Sequence, residues 1–272
     1  RAVLWAAPDV DPKYEHPELT TSEPYVMGSH ATGSGAWCSG PKDVSPPEYF
    51  WGYNRMMTIE GLFGAGDAIG GTPHAFSSGS FTEGRLAAKA ACCYIDDGKG
   101  EGIVVSEKQI GELKEAVFKP MEHYKMYRNE IVAGDVNPHY INPRQGLDRL
   151  QKLMDEYCGG ATVNYMTNEK LLNIGLKKLK IMEEDLEKLA AKDFHELLRA
   201  WELMHRHRTS ECVTQHTLFR KETRWPGYYY RGDAMKLDDE NWHVLTVSRR
   251  DPKTGEYTME KAPVYHLVKD DE

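Results

Sequence analysis

The stretch Gly61–Ala91, GLFGAGDAIGGTPHAFSSGSFTEGRLAAKAA, decides how the rest of the chain is read. Its apolar start, Gly61-Leu62-Phe63, predicts a short strand ending in Gly64-Ala65-Gly66-Asp67. A glycine-rich loop, a serine-rich turn and an alanine-rich helix starting near Thr82 follow. Glycines at 64 and 66 let backbone come close to a ligand, and Asp67 at the strand end offers a carboxylate to a sugar or polyol hydroxyl. Ser77, Ser78 and Ser80 stand ahead of the helix, so their hydroxyls and the free N–H groups of its first turn face the same space. That geometry suits an anionic or electron-rich ligand edge. The spacing is not the dinucleotide fingerprint, because Gly64, Gly66 and Gly70 read G-x-G-x-x-x-G and no acidic residue follows at the usual distance. On spacing alone, a plain glycine-rich loop capping a helix is the alternative.

Outward from that stretch, composition narrows the class. The chain has 272 residues and a net charge of −8, with acids and bases mixed along it. That balance argues against a nucleic-acid binder held by phosphate contacts, and no apolar run approaches a membrane span. The beginning, RAVLWAAPDVDP, has neither an initiating Met nor a signal-peptide pattern, so the chain is expected to begin within a longer protein. Five cysteines, at 38, 92, 93, 158 and 212, never fall in C-x-x-C spacing, which indicates no disulfide framework, iron–sulfur site or zinc site. They fit a reducing compartment, and Cys92-Cys93 are expected to pack as small apolar residues.

Upstream, residues 25–40 read YVMGSHATGSGAWCSG. Glycines 28, 33 and 35 fold the backbone tightly around His30, which is how a loop presents one imidazole; an ordinary surface histidine is the alternative. Trp37, Tyr49, Phe50, Trp51 and Tyr53 read as core and lid packing. Asn54 and Arg55, just before the strand, are placed either near a ligand or at the surface.

Downstream the pattern becomes helical. Ser106-Glu107-Lys108-Gln109 is a capping box, with Ile110, Leu113, Val117, Met121, Tyr124 and Ile131 at helical spacing and Pro120 predicting a kink. A second helix starts at Asn142-Pro143 and ends at Gly159-Gly160. A third is predicted from about Asn168 to His205, with Leu172 through Met204 on one face, and the three form a bundle. Charge runs such as Glu183-Glu184-Asp185 read as its solvated face. His205, His207 and His216 lack metal-site spacing. Arg224 and Arg231 are candidates for holding anionic groups or, more simply, for pairing with Asp238-Asp239-Glu240. DPKTGE predicts a hairpin between Val244–Val247 and Tyr257–Met259.

The opening string resembles the second flavin-binding segment of the fumarate reductase and succinate dehydrogenase flavoprotein superfamily, where a GL(F/Y)-x-AGD/E strand end touches the ribityl chain of FAD. SHATGSG resembles that superfamily's H-x-T-x-G segment, and KETRWPGYYYRGD with DDENWHVL its ESRGAHxRxD…W region. With EPYVMGSHATGSGAW and PPEYFWGYNRM included, the chain is similar throughout to the adenylylsulfate reductase alpha-subunit family, C-terminal portion. Two features of the superfamily are missing from this sequence. Pro73-His74-Ala75-Phe76 stands where dicarboxylate enzymes carry HGANR, so their carboxylate-gripping arginine is lacking. The N-terminal G-x-G-x-x-G unit that holds the FAD pyrophosphate has no counterpart, which implies a missing N-terminal half of the same flavoprotein.

The resemblance implies an α/β fold over residues 1–97, the C-terminal part of an FAD-binding Rossmann-like domain. It adds an α-helical bundle over 98–205 and a β-hairpin with irregular tail over 206–272 packing back on the flavin domain. It implies FAD as cofactor and reduction of adenylylsulfate to sulfite and AMP, or the reverse, through an FAD–sulfite adduct. It also implies a cytoplasmic heterodimer with a ferredoxin-like iron–sulfur beta subunit. Mapped onto this sequence, His30 is the catalytic residue, and His30, His74 and Phe81 bind substrate. Asp67, Gly66, Ser78, Ser80 and Phe81 bind the cofactor. The alternatives are a fumarate reductase or succinate dehydrogenase type of flavoprotein subunit, and an inactive structural or docking fragment without cofactor.

Overall fold

The computed structural model describes residues 34–70, 77–102, 104–132, 136–224 and 229–264. These residues form a mostly helical protein with two small sheets. In chain order the helices are α1 (Ser77–Asp96), α2 (Glu107–Tyr127), α3 (Pro143–Tyr157), α4 (Glu169–Leu186), α5 (Phe194–Phe219) and the single turn α6 (Asp239–Trp242). Strands β1 (Met166–Thr167) and β2 (Tyr230–Arg231) pair in parallel, while β3 (Val244–Arg250) and β4 (Tyr257–Pro263) form the antiparallel hairpin that DPKTGE predicts.

The bundle is α3, α4 and α5. Its core is Leu150, Leu153, Leu179, Met182, Leu186, Leu189, Ala200 and Leu203. Each fully buried Leu or Met there contributes about 1.5–3 kcal/mol. Local chemistry sets the ends of the helices. Asn142 accepts from the Gln145 N–H while the Gln145 side chain accepts from the Asn142 N–H, with Pro143 at the first helical position, and Gly159 lies at φ +86° beyond the C-terminus of α3.

Three helical expectations need correction. The single helix predicted over 168–205 is two helices. Residues 187–193 leave the helical path because Ile141 pairs with Leu189 as a parallel bridge, the Ala191 N–H donates to the Pro120 carbonyl, and Asp193 caps a new helix by accepting from the Glu196 N–H. Helix α5 also continues past His205 to Phe219. Its buried face there includes His207 and Thr214, so polar residues occupy positions where a count of apolar residues finds nothing. Finally, the stripe assigned to α2 is largely outside the core. Leu113 is 66% exposed, and Pro120 is the one buried residue of that helix, which continues through the proline.

The α/β expectation also changes around residues 34–70. Gly61 takes φ +77° and the Leu62 N–H donates to the Ile59 carbonyl, so Gly61-Leu62-Phe63 is a turn from which only Phe63 pairs, as a single bridge to Met56. Four passes of chain lie side by side through isolated bridges rather than a ladder.

Two helix ends meet at a buried cation. Arg231, 1% exposed, donates from Nη1 to the carbonyls of Thr217, Leu218 and Arg220 at the C-terminus of α5, and from Nε and Nη2 to the Asp233 carboxylate at 2.9 and 3.0 Å. Asp233 in turn accepts from the Glu169 N–H, the first of α4, at 2.9 Å. The Arg therefore serves the carbonyl end of one helix and the Asp the amide end of another, the favourable sign at each.

The Arg231 guanidinium, aided by the Glu169 N–H, holds the Asp233 carboxyl down at about 2. An unfolded Asp titrates near about 3.9, so this contribution is fully present above about pH 5 and is lost as pH falls toward about 2. Thermal midpoints of wild type and Asp233→Asn are expected to differ by a constant gap in the neutral range that closes in acid; a gap unchanged down to about pH 2 contradicts the assignment. Arg231→Met is expected to destabilise by about 3 kcal/mol, measured by denaturant unfolding.

Candidate functional site

Residues 34–70 and the first turns of α1 form one compact unit. The Ala36 N–H donates to the Ala68 carbonyl at 2.9 Å and the Gly70 N–H to the Ala36 carbonyl at 3.1 Å, joining the strap after Gly35 to the end of the Gly64–Gly70 turn. Only glycine fits at 35, because a Cβ there would lie 2.5 Å from the Ile69 carbonyl carbon and 2.6 Å from the Gly70 nitrogen. The short 3₁₀ turn Gly66–Ala68 packs against the start of α1. Gly66 takes φ +65°, and a Cβ built on it would sit 3.3 Å from Ser80 Oγ. The bare backbone of Gly66 is thus set directly beside the hydroxyl of Ser80.

Asp67 is exposed on that turn and makes no hydrogen bond or ion pair among the described residues. Ser77, Ser78 and Ser80 lie inside the first turn of α1, not ahead of it as expected. The Thr82 hydroxyl donates to the Ser78 carbonyl at 2.9 Å, so the backbone is already helical where serine composition suggests a turn. Ser78 is exposed, Ser80 half-buried, and Phe81 stands 78% exposed, a large aromatic ring presented to its surroundings. His30 and His74 lie outside the described residues, as does the Pro73–Phe76 segment.

What fixes this unit was not singled out in the sequence. Arg55, left open between ligand and surface, is neither free nor exposed. Its Nε and Nη2 donate to the two carboxylate oxygens of Glu83 on α1, the Nη2 bond at 3.1 Å, and its Nη1 to Asn54 Oδ1 at 2.9 Å. The backbone of Arg55 takes φ +62°, donates to the Ser39 carbonyl and accepts from the Gly64 N–H. The bond to Glu83 raises the Arg55 pKa further. Burial pushes the nearby Cys38 thiol up, with the Arg55 charge opposing and the Glu83 charge reinforcing the shift. Cys38 is thus kept as a neutral thiol.

The aromatic residues divide between two places. Trp37 packs on Tyr49 and Trp51, with ring centroids 4.9 and 6.2 Å apart, while Tyr53 and Phe63 turn their edges to Tyr94 of α1. Cys92 and Cys93 on the same helix are exposed, contrary to the packing expected of them. Far from this unit, Arg224 pairs with Asp239 at 2.8 Å as read from sequence, whereas Arg231 is committed to the helix ends.

The exposed Asp67 carboxylate and the Ser80 hydroxyl flank the buried Gly66, whose missing side chain lets the turn close on α1, and Phe81 stands exposed at the next position of that helix. This combination fits a ligand with a polyol, an anionic edge and a flat ring. The whole chain is 40% identical to 42% of adenylylsulfate reductase subunit alpha from Megalodesulfovibrio gigas. The chain is a homologue of that subunit.

Among solved structures, the adenylylsulfate reductase of Archaeoglobus fulgidus superimposes with a TM-score of 0.87 at 50% identity, covering 98% of this chain and 42% of the other. A second homologue, an adenosine-5-phosphosulfate reductase in complex with sulfite as a covalent adduct, gives 0.86 at 49% identity over the same shares. Residues 147–268 match the family described as fumarate reductase flavoprotein C-term. The chain thus spans about two fifths of the length of the relatives it matches.

The glycine crossing has its own test. Gly35→Ala is expected to destabilise by about 1–3 kcal/mol and to speed hydrogen exchange at the Gly70 amide, since the Ala36–Ile69 bridge must open to admit the methyl group. Gly84→Ala, where nothing lies within 4 Å of the added carbon, is expected to be neutral or to stabilise by up to about 1 kcal/mol. Equal effects at the two positions contradict the close-approach account.

Proposed function

We propose that this chain is part of the flavoprotein subunit of an adenylylsulfate reductase, which interconverts adenylylsulfate with sulfite and AMP using FAD. The observation that carries the proposal is the likeness at 50% identity over 98% of the chain to an adenylylsulfate reductase. The fit of the residues supports it. Gly66, buried and without a side chain, lets the turn close on the start of α1 beside Ser80, Asp67 has an uncommitted carboxylate for ribityl hydroxyls, and Ser78 and Ser80 place hydroxyls at the start of α1. When bound, the flavin supplies a pair of electrons to sulfur.

The chain's own contribution is orientation and charge neutralisation. Sulfate, phosphate and the reduced ring system are three negative regions that must be held together without water. Donors aimed where charge grows are therefore the largest lever on the rate. In this reading His30 donates to the sulfo group or to the phosphate oxygen on which charge accumulates as the S–O bond breaks. His74 serves the same space, and Phe81 presents its face to the flavin end of the site and to substrate. Residues 1–97 form part of the flavin domain; the helical domain, read from sequence as 98–205, runs on to the end of α5 at Phe219, and the rest of 206–272 is a tail returning to the flavin domain. The α/β part of the fold, of Rossmann type, is completed by the remainder of the flavoprotein.

The electron partner in this reading is a ferredoxin-like iron–sulfur beta subunit, and the assembly is cytoplasmic. Among the described residues no helix is long and apolar enough to cross a membrane. No group of three or more His, Cys, Asp or Glu residues stands together there as a metal site.

In the full-length flavoprotein, His30→Ala is expected to lower adenylylsulfate-dependent turnover about a hundredfold with bound FAD near normal, the loss typical of one oriented donor. Asp67→Ala is expected to reduce FAD occupancy first and activity only in proportion. Measuring flavin per subunit and turnover on both variants decides the matter, and wild-type turnover in His30→Ala overturns the histidine's role.

A further inference from the structure

We propose that the Arg55–Glu83 ion pair is a positioning element of the reaction site, holding the start of α1, the Gly64–Asp67 turn and the strap that follows His30 in one fixed relation. The proposal rests on the flavin reading above. Its footing is that a single residue touches all three segments. The Arg55 side chain grips Glu83 with two parallel bonds, its N–H donates to the Ser39 carbonyl at 2.8 Å, and its carbonyl accepts from Gly64 at 3.0 Å. The side chains of Arg55 and Glu83 are 15% and 8% exposed, so water competes little for the pair.

Two further observations point to positioning rather than plain stability. Glu83 is the only buried residue of α1, a helix of 20 residues, so the pair is the buried anchor that sets the rotation of that helix on its underlying turn, with Tyr94 packed on Tyr53 and Phe63 about three turns further along. Successive residues on a helix are about 100° apart, which places Phe81 about 200° round from Glu83. Drawing the carboxylate inward thus turns the Phe81 ring outward, as observed. The second observation is the conformation of Arg55, held at φ +62°, a region that is costly for a residue with a side chain. A buried ion pair is weak support for stability, since an apolar pair of similar volume often does as well. What it specifies is geometry, and the bidentate fork specifies it more sharply than a point charge does.

The test uses the complete flavoprotein with its partner subunit and four variants: Arg55→Lys, Glu83→Gln, Glu83→Asp and the double variant Arg55→Met/Glu83→Met. Three quantities are read on each: the thermal midpoint, the visible circular dichroism of bound flavin, and kcat and KM for adenylylsulfate. Arg55→Lys keeps the charge and loses the fork. It is expected to lower kcat about tenfold or more, the scale for a small misplacement of reacting groups, and to alter the flavin dichroism with the midpoint nearly unchanged. The apolar double variant is expected to fold with a midpoint close to wild type and to show the same two losses.

Wild-type kcat and dichroism in Arg55→Lys, or losses that track the midpoint across all four variants, overturn the proposal. If the wild-type protein binds flavin but does not turn over adenylylsulfate, the functional reading fails on its own. The dichroism of the variants still decides the role of the pair. A wild-type protein without flavin overturns both.

Discussion

The structure leans on the place where Arg231 and Asp233 join the end of one long helix to the beginning of another. The last carbonyls of α5 and the first amide of α4 point toward the same small volume, and neither set has partners within its own helix. A cation and an anion two residues apart, each with the sign its helix end favours, satisfy both. Because the two residues sit at and just beyond β2, the same contact fixes that strand beside β1. The route of the chain after the bundle is set there.

From that point the tail is held by buried polar contacts more than by apolar surface. The fully buried Glu222 accepts from Arg220, from Arg224 and from the Asp238 N–H, and Arg220 also donates to the carbonyls of Trp242 and Val244. Next along, both ring nitrogens of His216 on α5 meet hydroxyls of β3, Thr246 and Ser248, at 2.9 Å. Burial, with Arg220 nearby, lowers the pKa of that imidazole. Each contact is directional, so the hairpin has one seat on α5 rather than a range of them. Around residues 34–70 the same device recurs on a smaller scale: isolated bridges give little cohesion, and a buried ion pair supplies the orientation that a sheet would give elsewhere.

Much of the bundle was legible because its signals are local. Asn142-Pro143 and Gly159-Gly160 mark a helix by chemistry confined to a few residues, and DPKTGE marks a hairpin in the same way. The Lys192-Asp193…Glu196 stop and restart has an equally local signature, but an unbroken leucine stripe on both sides conceals it. The continuation of α5 to Phe219 was illegible for another reason, since its inward positions carry His207 and Thr214. The stripe of α2 misleads in the opposite sense, being apolar at the right spacing and yet mostly outside the core. In the proposed site, Asp67, Ser80 and Phe81 are named from the string that contains them. The Arg55–Glu83 pair does not, because its members are 28 residues apart in sequence and nothing local in either one requires the other.

In the proposed reading the chain supplies one side of a flavin site: the free Asp67 carboxylate, hydroxyls at the start of α1 and the outward Phe81, set in place by charge. The most direct test of that account is the visible absorption spectrum of the complete flavoprotein containing this chain, titrated with sulfite and, separately, with succinate. The account predicts an oxidised-flavin band that sulfite bleaches and succinate leaves unchanged. A protein without that band, or one whose flavin responds to succinate and not to sulfite, contradicts it.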